Sequence, residues 1–353
     1  MTNKMGKLSG GMQFSKRWAM LDQLSRSTRG LRLTYQLDTK NKCRMIFDVK
    51  MGEKFRREAR LFGGGHMTEE PSLITYSSVV SRDSIRIALT VASLNGLDIL
   101  ACDIHNVYLT AKCREKIWTI AGPEFGIEED SLMIVKMALY GLNSSSAAFR
   151  AKLSGVLHDL SYVPSKADPD VWIIPAVRPN GSEYFEMALC YIDDVLVIAV
   201  EPIKTMDGIR AVFKLKGDKA KKPDMYLGAS LSELDTADGK KCWKMSSEKY
   251  AKAAIENVEV RLAKSDLRFP SRCDTPMSTS YHPSKDVTRE MNAEGLHTYQ
   301  ELIVILRWAT EIGRIDILLE IYLLSSHLAL PRIGHLQAVY QIFRYLKQVP
   351  SLV

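Results

Sequence analysis

Hydrophobic and polar positions between residues 78 and 105 change period once, from helical to extended. In "SVVSRDSIRIALTVASLNG" (78–96), Ile85, Leu89 and Ala92, with Ala88 beside them, recur on one helical face, and Asn95-Gly96 supplies a C-terminal stop. "LDILACDIH" (97–105) follows at once, a short, apolar, strand-like segment that carries Asp103. A second helix is predicted over 144–160, where Phe149, Leu153, Val156, Leu157 and Leu160 keep helical spacing and serines could cap the start. Upstream, "RMIFDVK" (44–50) and "KFRREARLFGGG" (54–65) read as a hairpin ended by a glycine run. Residues 1–43 carry too little periodicity for an assignment.

A meander is predicted next. "DVWIIPAV" (170–177) reads as a strand, "PNGS" (179–182) as a turn with an Asn-Gly signature, and "YFEMALCYI" (184–192) as the return strand. "VLVIAV" (195–200) is a third apolar strand, separated from the second only by Asp193-Asp194. Two strands joined by two residues make a tight hairpin, so both aspartates are expected at its tip, where Asp tolerates turn dihedrals. Two helical segments, 299–330 and 334–349, follow a mixed stretch and are separated by Pro331. Strands and helices intermixed around a meander predict an α+β fold.

Composition narrows the class without naming it. The 353 residues are 46% apolar and 25% charged, an ordinary globular balance for two or three subdomains. No apolar run approaches the roughly eighteen residues of a membrane span, and the basic N-terminus lacks the apolar core of a signal peptide. A soluble, intracellular protein is expected. The six cysteines lie far apart with no C-x-x-C pair, which argues against a zinc site or disulfide framework. Net charge is +7, with basic clusters at 54–60 and 214–222 that read either as solvated faces or as contacts to an acidic polymer.

Three acids at predicted strand ends change the picture: Asp103, Asp193 and Asp194. Clustered carboxylates there suit Mg²⁺, which prefers oxygen ligands and keeps waters and substrate phosphates in its shell. A solvated Asp-Asp turn is the alternative reading. His327 and His335 read as packing or capping residues, since no acid or cysteine cluster accompanies them.

"YIDDVLVIA" resembles the Tyr-x-Asp-Asp motif of reverse transcriptases, in particular the Ty1/copia class of long-terminal-repeat retrotransposons. "ARLFGGGHMT", "ACDIHNVYLTA", "ALYGLNSSSAAFRAKL", "MYLGASL", "YQELIVILRWATEIGRIDI" and "GHLQAVYQIFRYLK" resemble further segments of that class, in order, from about residue 44 to 350. The resemblance implies a right-hand polymerase whose antiparallel palm sheet carries the catalytic Asp-Asp hairpin. Its fingers would span 44–95, its palm 96–232, and its thumb and connection 233–353, ending about where a ribonuclease H domain would begin. It implies RNA-directed DNA polymerisation with two Mg²⁺ ions (Mn²⁺ as a substitute), an RNA template, a DNA primer and deoxynucleoside triphosphates. Integrase and ribonuclease H would be neighbours in a polyprotein, and the setting would be a cytoplasmic virus-like particle.

Carried onto this chain, the metal-binding triad is Asp103, Asp193 and Asp194, with the carbonyl of Ile104 as a further ligand. Tyr108 stands where the family places its aromatic gate against ribose, and His105 and Asn106 lie where backbone amides meet the triphosphate. Arg57 or Arg60 would neutralise triphosphate charge. Gly141, Asn143 and Ser144 belong to the segment expected beneath the templating base. The chain departs from the pattern at Asn143 and Glu58, where lysines are usual, at Val107 for alanine and at Val304 for glycine. Such changes resemble drift, so an inactive, degenerate copy is the alternative expectation.

Overall fold

The computed structural model of the chain describes residues 39–50, 56–67, 75–115, 117–217, 220–239, 241–264, 266–269 and 273–350. The chain divides into two compact units: Leu100–Ala220 with the described residues up to Val80, and Ser81–Ile99 with Lys221–Val353.

In the first unit, β1 (Thr39–Lys40) lies parallel to β5 (Ile117–Ile120), which pairs antiparallel with β6 (Leu132–Ile134). The expected N-terminal hairpin forms from β2 (Arg44–Lys50) and β3 (Arg56–Phe62), with Arg44 opposite Phe62. The main sheet has five strands in the order β4-β10-β9-β8-β7, formed by Asp98–Asp103, Asp194–Ala199, Glu183–Tyr191, Val171–Val177 and Val163–Pro164. The mixture of this sheet with helices is the α+β class read from the pattern.

Helices α3 (Ser145–Asp159) and α4 (Pro202–Val212) cover one face of that sheet. Phe149, Leu153 and Leu157 of α3 and Met206 and Ile209 of α4 share a core with Trp172, Ala188, Cys190, Val195 and Val197. Alternation puts Leu189, Leu196 and Ile198 on the other face, and they too are buried, which explains why β10 reads as an unbroken apolar run. Val195, Leu196, Val197 and Ile198 are all fully buried. At about 1.5–3 kcal/mol each, they anchor β10 by roughly 6–12 kcal/mol before entropy is subtracted.

The second unit begins with α1 (Arg82–Asn95). Ser81 caps it by accepting from the Ser84 amide, and Gly96 closes it in the left-handed region at φ 57°. Ile85, Ala88, Leu89 and Ala92 are its buried face, as the spacing predicts. The stretch after residue 201, read from sequence only as mixed, holds α4 of the first unit and then, in the second, the sheet β11-β12-β13 (Met225–Tyr226, Ala229–Asp235, Lys241–Ser246) and α5 (Glu248–Lys264).

The expected helix over 299–330 is corrected. It starts earlier, as α6 (Ala293–Glu311) behind an Asn292 cap, and breaks at Gly313, whose φ of 138° no helix admits. A 3-10 turn over Ile315–Ile317 leads into α7 (Leu318–Ser325), and α8 (Ile333–Gln348) follows Pro331. Tyr299, Leu302, Ile303, Leu306, Ile321, Val339, Ile342 and Phe343 form this unit's helical core. His335 is buried; its Nδ1 accepts from the Arg332 amide (3.0 Å) and its Nε2 lies 3.0 Å from the Pro283 carbonyl, a capping role as read from sequence. No helix among the described residues is long and apolar enough to cross a membrane.

Candidate active site

The tight hairpin between β9 and β10 differs from expectation by one residue. Asp194 pairs with Tyr191, so the two loop residues are Ile192 and Asp193, and Asp194 is the first residue of the strand. Ile192 takes φ 53°, a region a β-branched side chain avoids. Such strain costs on the order of 1–3 kcal/mol, well below the burial that anchors β10. The consequence is that Asp193 rides on the turn while Asp194 is held by the ladder.

Asp103 ends β4, the neighbour of β10. The amide of the fully buried Ile104 donates to the Asp193 carbonyl at 2.8 Å, which ties the strand end to the hairpin. On its other side, Ile104 bridges antiparallel to Leu215: the His105 amide donates to the Lys214 carbonyl and the Lys216 amide to the Asp103 carbonyl, both at 2.8 Å. That short bridge brings in a residue the sequence reading did not single out. Lys216 Nζ lies 2.6 Å from the Asp103 carboxylate and 3.3 Å from Asp193 Oδ2. The signal was there in "FKLKG": Phe213 and Leu215 are buried, so Lys214 and Lys216, which alternate with them, turn outward.

Burial, more than the charges of Asp193 and Asp103, pushes the Asp194 carboxyl up to about 7, with Lys216 opposing. Asp103 is also raised, by burial first and by Asp193, against the hydrogen bond and charge of Lys216. For Lys216, burial favours the neutral amine, but the bonds and charges of Asp103 and Asp193 prevail and raise it. Behind them the Cys102 thiol is pushed up to about 12 by burial and then by Asp194 and Asp103, so it stays neutral.

Among the described residues, no three of His, Cys, Asp and Glu stand together as a ready metal cage. The donor chemistry nonetheless fits Mg²⁺, which is bound through one or two carboxylates with waters and substrate phosphates completing the shell. Asp103 and Asp194 are oxygen donors whose carboxyls are raised by burial first and then by the charge of Asp193, and Asp103 and Asp193 already share one cation, the Lys216 ammonium. A hard cation would supply the same counter-charge to these oxygens.

Beside the acids lies an aromatic cluster. Tyr108 belongs to a one-turn helix, α2 (Val107–Thr110), entered through Asn106 in the left-handed region at φ 52°. Its hydroxyl lies 3.0 Å from Ser146 Oγ, and its ring meets Tyr140 edge-on at 4.9 Å. Arg60 stands over the Tyr140 ring at 5.5 Å. Tyr140, also not singled out from sequence, has its phenol raised by burial; the charges of Arg60, Asp193 and Lys216 all reach it. Arg60 and Tyr108 therefore share the Tyr140 ring, and the charge of Asp193 reaches its phenol. Arg57 and Glu58 lie on β3, with side chains outside the described residues.

The segment after Tyr140 is stapled to the glycine run. Gly63 N donates to Tyr140 O (2.8 Å), Gly65 N to Gly141 O (3.0 Å), and Asn143 Nδ2 to Gly65 O (3.2 Å). Asn143, a departure from the family pattern, thus has a structural use. Gly141 is required: its φ is 87°, and a Cβ there would stand 2.3 Å from the Gly63 carbonyl oxygen. The serines expected to cap α3 do other work. Ser144 occupies the N-cap without a capping bond and is buried against the Glu115 carboxylate; Ser145 Oγ donates to Leu139 O at 2.6 Å; Ser146 meets Tyr108.

Residues 40–267 match the family model described as reverse transcriptase (RNA-dependent DNA polymerase). The chain is 26% identical over 320 residues to the retrovirus-related Pol polyprotein from transposon RE1 of Arabidopsis thaliana, covering 88% of this chain and 20% of that polyprotein. It is 26% identical over 323 residues to the corresponding polyprotein from transposon TNT 1-94 of Nicotiana tabacum (87% of this chain, 23% of that one). A putative transposon Ty5-1 protein of Saccharomyces cerevisiae is 24% identical over 256 residues, covering 71% of this chain and 76% of that protein. The chain thus spans about a fifth of the length of the plant polyproteins. A solved foamy viral protease-reverse transcriptase in complex with double-stranded DNA aligns at a TM-score of 0.41 and 12% identity, over 86% of this chain and 43% of that one. By its family match and its relatives, the chain belongs to the reverse transcriptases of Ty1/copia-type retrotransposon polyproteins.

Proposed function

We propose that this chain performs RNA-directed DNA polymerisation at the Asp103–Asp193–Asp194 cluster. The observation that supports the reading is the convergence of a strand end and a strained hairpin on one set of coupled carboxylates, with Asp194 raised to about 7. In the corresponding right-hand arrangement, 44–95 would be fingers, 96–232 palm, and 233–353 thumb and connection.

The reaction joins the primer 3′-oxygen to the α-phosphorus of a deoxynucleoside triphosphate. The bond from that phosphorus to the bridging oxygen breaks, pyrophosphate leaves, and the hydroxyl proton passes to solvent. Asp103, Asp193 and Asp194, with the Ile104 carbonyl, would hold two Mg²⁺ ions, which when bound favour ionisation of the hydroxyl and offset charge on the triphosphate. Protein groups supply position and electrostatics. The Ile192 turn, fixed by β10, holds Asp193 towards Asp103. Tyr108, braced by Ser146 and Tyr140, fills the volume a 2′-hydroxyl would need. Arg60 offers a guanidinium fork to phosphate oxygens from β3. RNA template and DNA primer are the proposed partners.

Primer extension on poly(rA)/oligo(dT) with Mg²⁺ tests this. We expect incorporation of dTTP that Asp193→Asn abolishes. No incorporation by the well-folded parent would sink the reading.

A further inference from the structure

Lys216 is not a free surface lysine. Its backbone is fixed beside Asp103 by the Lys216 N to Asp103 O bond, one of the two bonds of the Ile104–Leu215 bridge; the other, His105 N to Lys214 O, holds the same segment two residues earlier. Gly217, at φ 79°, turns the chain away directly after it. From that anchor, one ammonium reaches two carboxylates from different elements: Asp103 on β4 at 2.6 Å and Asp193 on the hairpin at 3.3 Å. These oxygens are the ones the proposed reaction assigns to divalent cations.

We propose that Lys216 gates metal binding, its ammonium competing with a divalent cation for the carboxylates of Asp103 and Asp193. The two cannot share those oxygens: both are cations, and an ion bound there would repel the ammonium at short range. Lysine suits a displaceable role. It is a compact point charge on a flexible stem, and its side chain here remains 44% exposed, so it can swing into solvent without burying an unpaired charge. A guanidinium would instead lock onto a carboxylate with two parallel bonds. Lys216 therefore keeps the acids together when no ion is bound and yields to one that is. Metal affinity then reflects the difference between two cations rather than the full attraction of the acids. The inference rests on the proposed function only for the purpose of the ion; the competition itself is read without turnover.

The test uses the full chain, stripped of metal with EDTA and dialysed, with Mn²⁺ alone as probe. Free Mn²⁺ is followed by electron paramagnetic resonance, with no nucleotide or nucleic acid. Lys216→Gln should tighten Mn²⁺ binding about three- to tenfold, the scale expected for two half-exposed ion pairs. Lys214→Gln removes the same charge two residues away but leaves the Asp103–Lys216–Asp193 contact intact, and should change affinity less than twofold. Lys216→Arg keeps the charge, so it guards against misfolding of the Gln variant and should bind Mn²⁺ no more tightly than the parent. Equal affinity in the parent and Lys216→Gln, equal gains in both Gln variants, or no Mn²⁺ binding by any of them overturns the proposal. Failure of primer extension alone would overturn the polymerase reading and leave this result standing.

Discussion

Replacing Asp194 by Asn should stabilise the protein in EDTA at pH 8 while abolishing polymerisation. In the folded chain the Asp194 carboxyl is raised from 3.8 to about 7, by burial first and then by Asp193 and Asp103. A raised pKa means that the folded state holds the proton more tightly than the unfolded chain. The group's stabilising contribution is therefore complete below pH 3.8 and is lost as pH climbs to 7. Above both values, about 3 units at ~1.36 kcal/mol each give about 4 kcal/mol of cost. Asp194 is only half-buried, and solvent screening cuts this to about 2 kcal/mol. Asn keeps the shape and carries no charge, so it should be more stable than the parent by about that amount at pH 8. For a unit of this size the gain is about 4–8 °C in Tm. The assay is thermal and urea denaturation of parent and variant in EDTA at several values between pH 4 and pH 8. The gap should close steadily as the pH falls. An unchanging gap, or an Asn variant less stable than the parent at pH 8, would refute the claim that burial and like charge raise this carboxyl.

Three other outcomes follow from the same geometry. Tyr108→Val removes the ring braced by Ser146 and Tyr140 and should admit ribonucleotides in primer extension; unchanged sugar discrimination would remove Tyr108 from that role. Arg150→Leu strands Asp170, whose side chain is 3% exposed and held by Arg150 Nε at 2.8 Å, and should cost about 3–5 kcal/mol in urea unfolding; a loss below about 1 kcal/mol would show that the carboxylate finds another partner or a proton. Gly141→Ala meets both a φ of 87° and the Gly63 carbonyl. It should lower stability by about 2–4 kcal/mol and loosen the staple between the glycine run and the Tyr140 segment, read by faster amide exchange at Gly63 and Gly65.

Periodicity alone determined much of the frame. The helix Arg82–Asn95 with its Gly96 stop, the helix Ser145–Asp159 and the three-strand meander were legible because each has one buried face or an uninterrupted buried run, and burial writes itself as period 3.6 or 2; the N-terminal hairpin was legible from its strand-like runs and the glycine run that ends it. The residue types of the acid cluster were legible too, since carboxylates at apolar strand ends have few alternatives to turn or metal. Helix limits were not: the break at Gly313 depends on a backbone angle, and the apolar residues on either side look like one continuous pattern. The hairpin register was not either. Two adjacent aspartates look like the loop, but cross-strand pairing of Asp194 with Tyr191 moves the turn onto Ile192, and only packing on both faces of β10 makes that strained choice the stable one. Lys216 and Tyr140 lay furthest from the sequence's reach. Each stands dozens of residues from Asp103 in the chain: the Ile104–Leu215 bridge brings Lys216 to the acids, and Tyr140 meets the ring of Tyr108. Local pattern encodes what a segment buries; which charges end up facing one another is decided by long-range pairing, whose information is spread over partners that no short stretch contains.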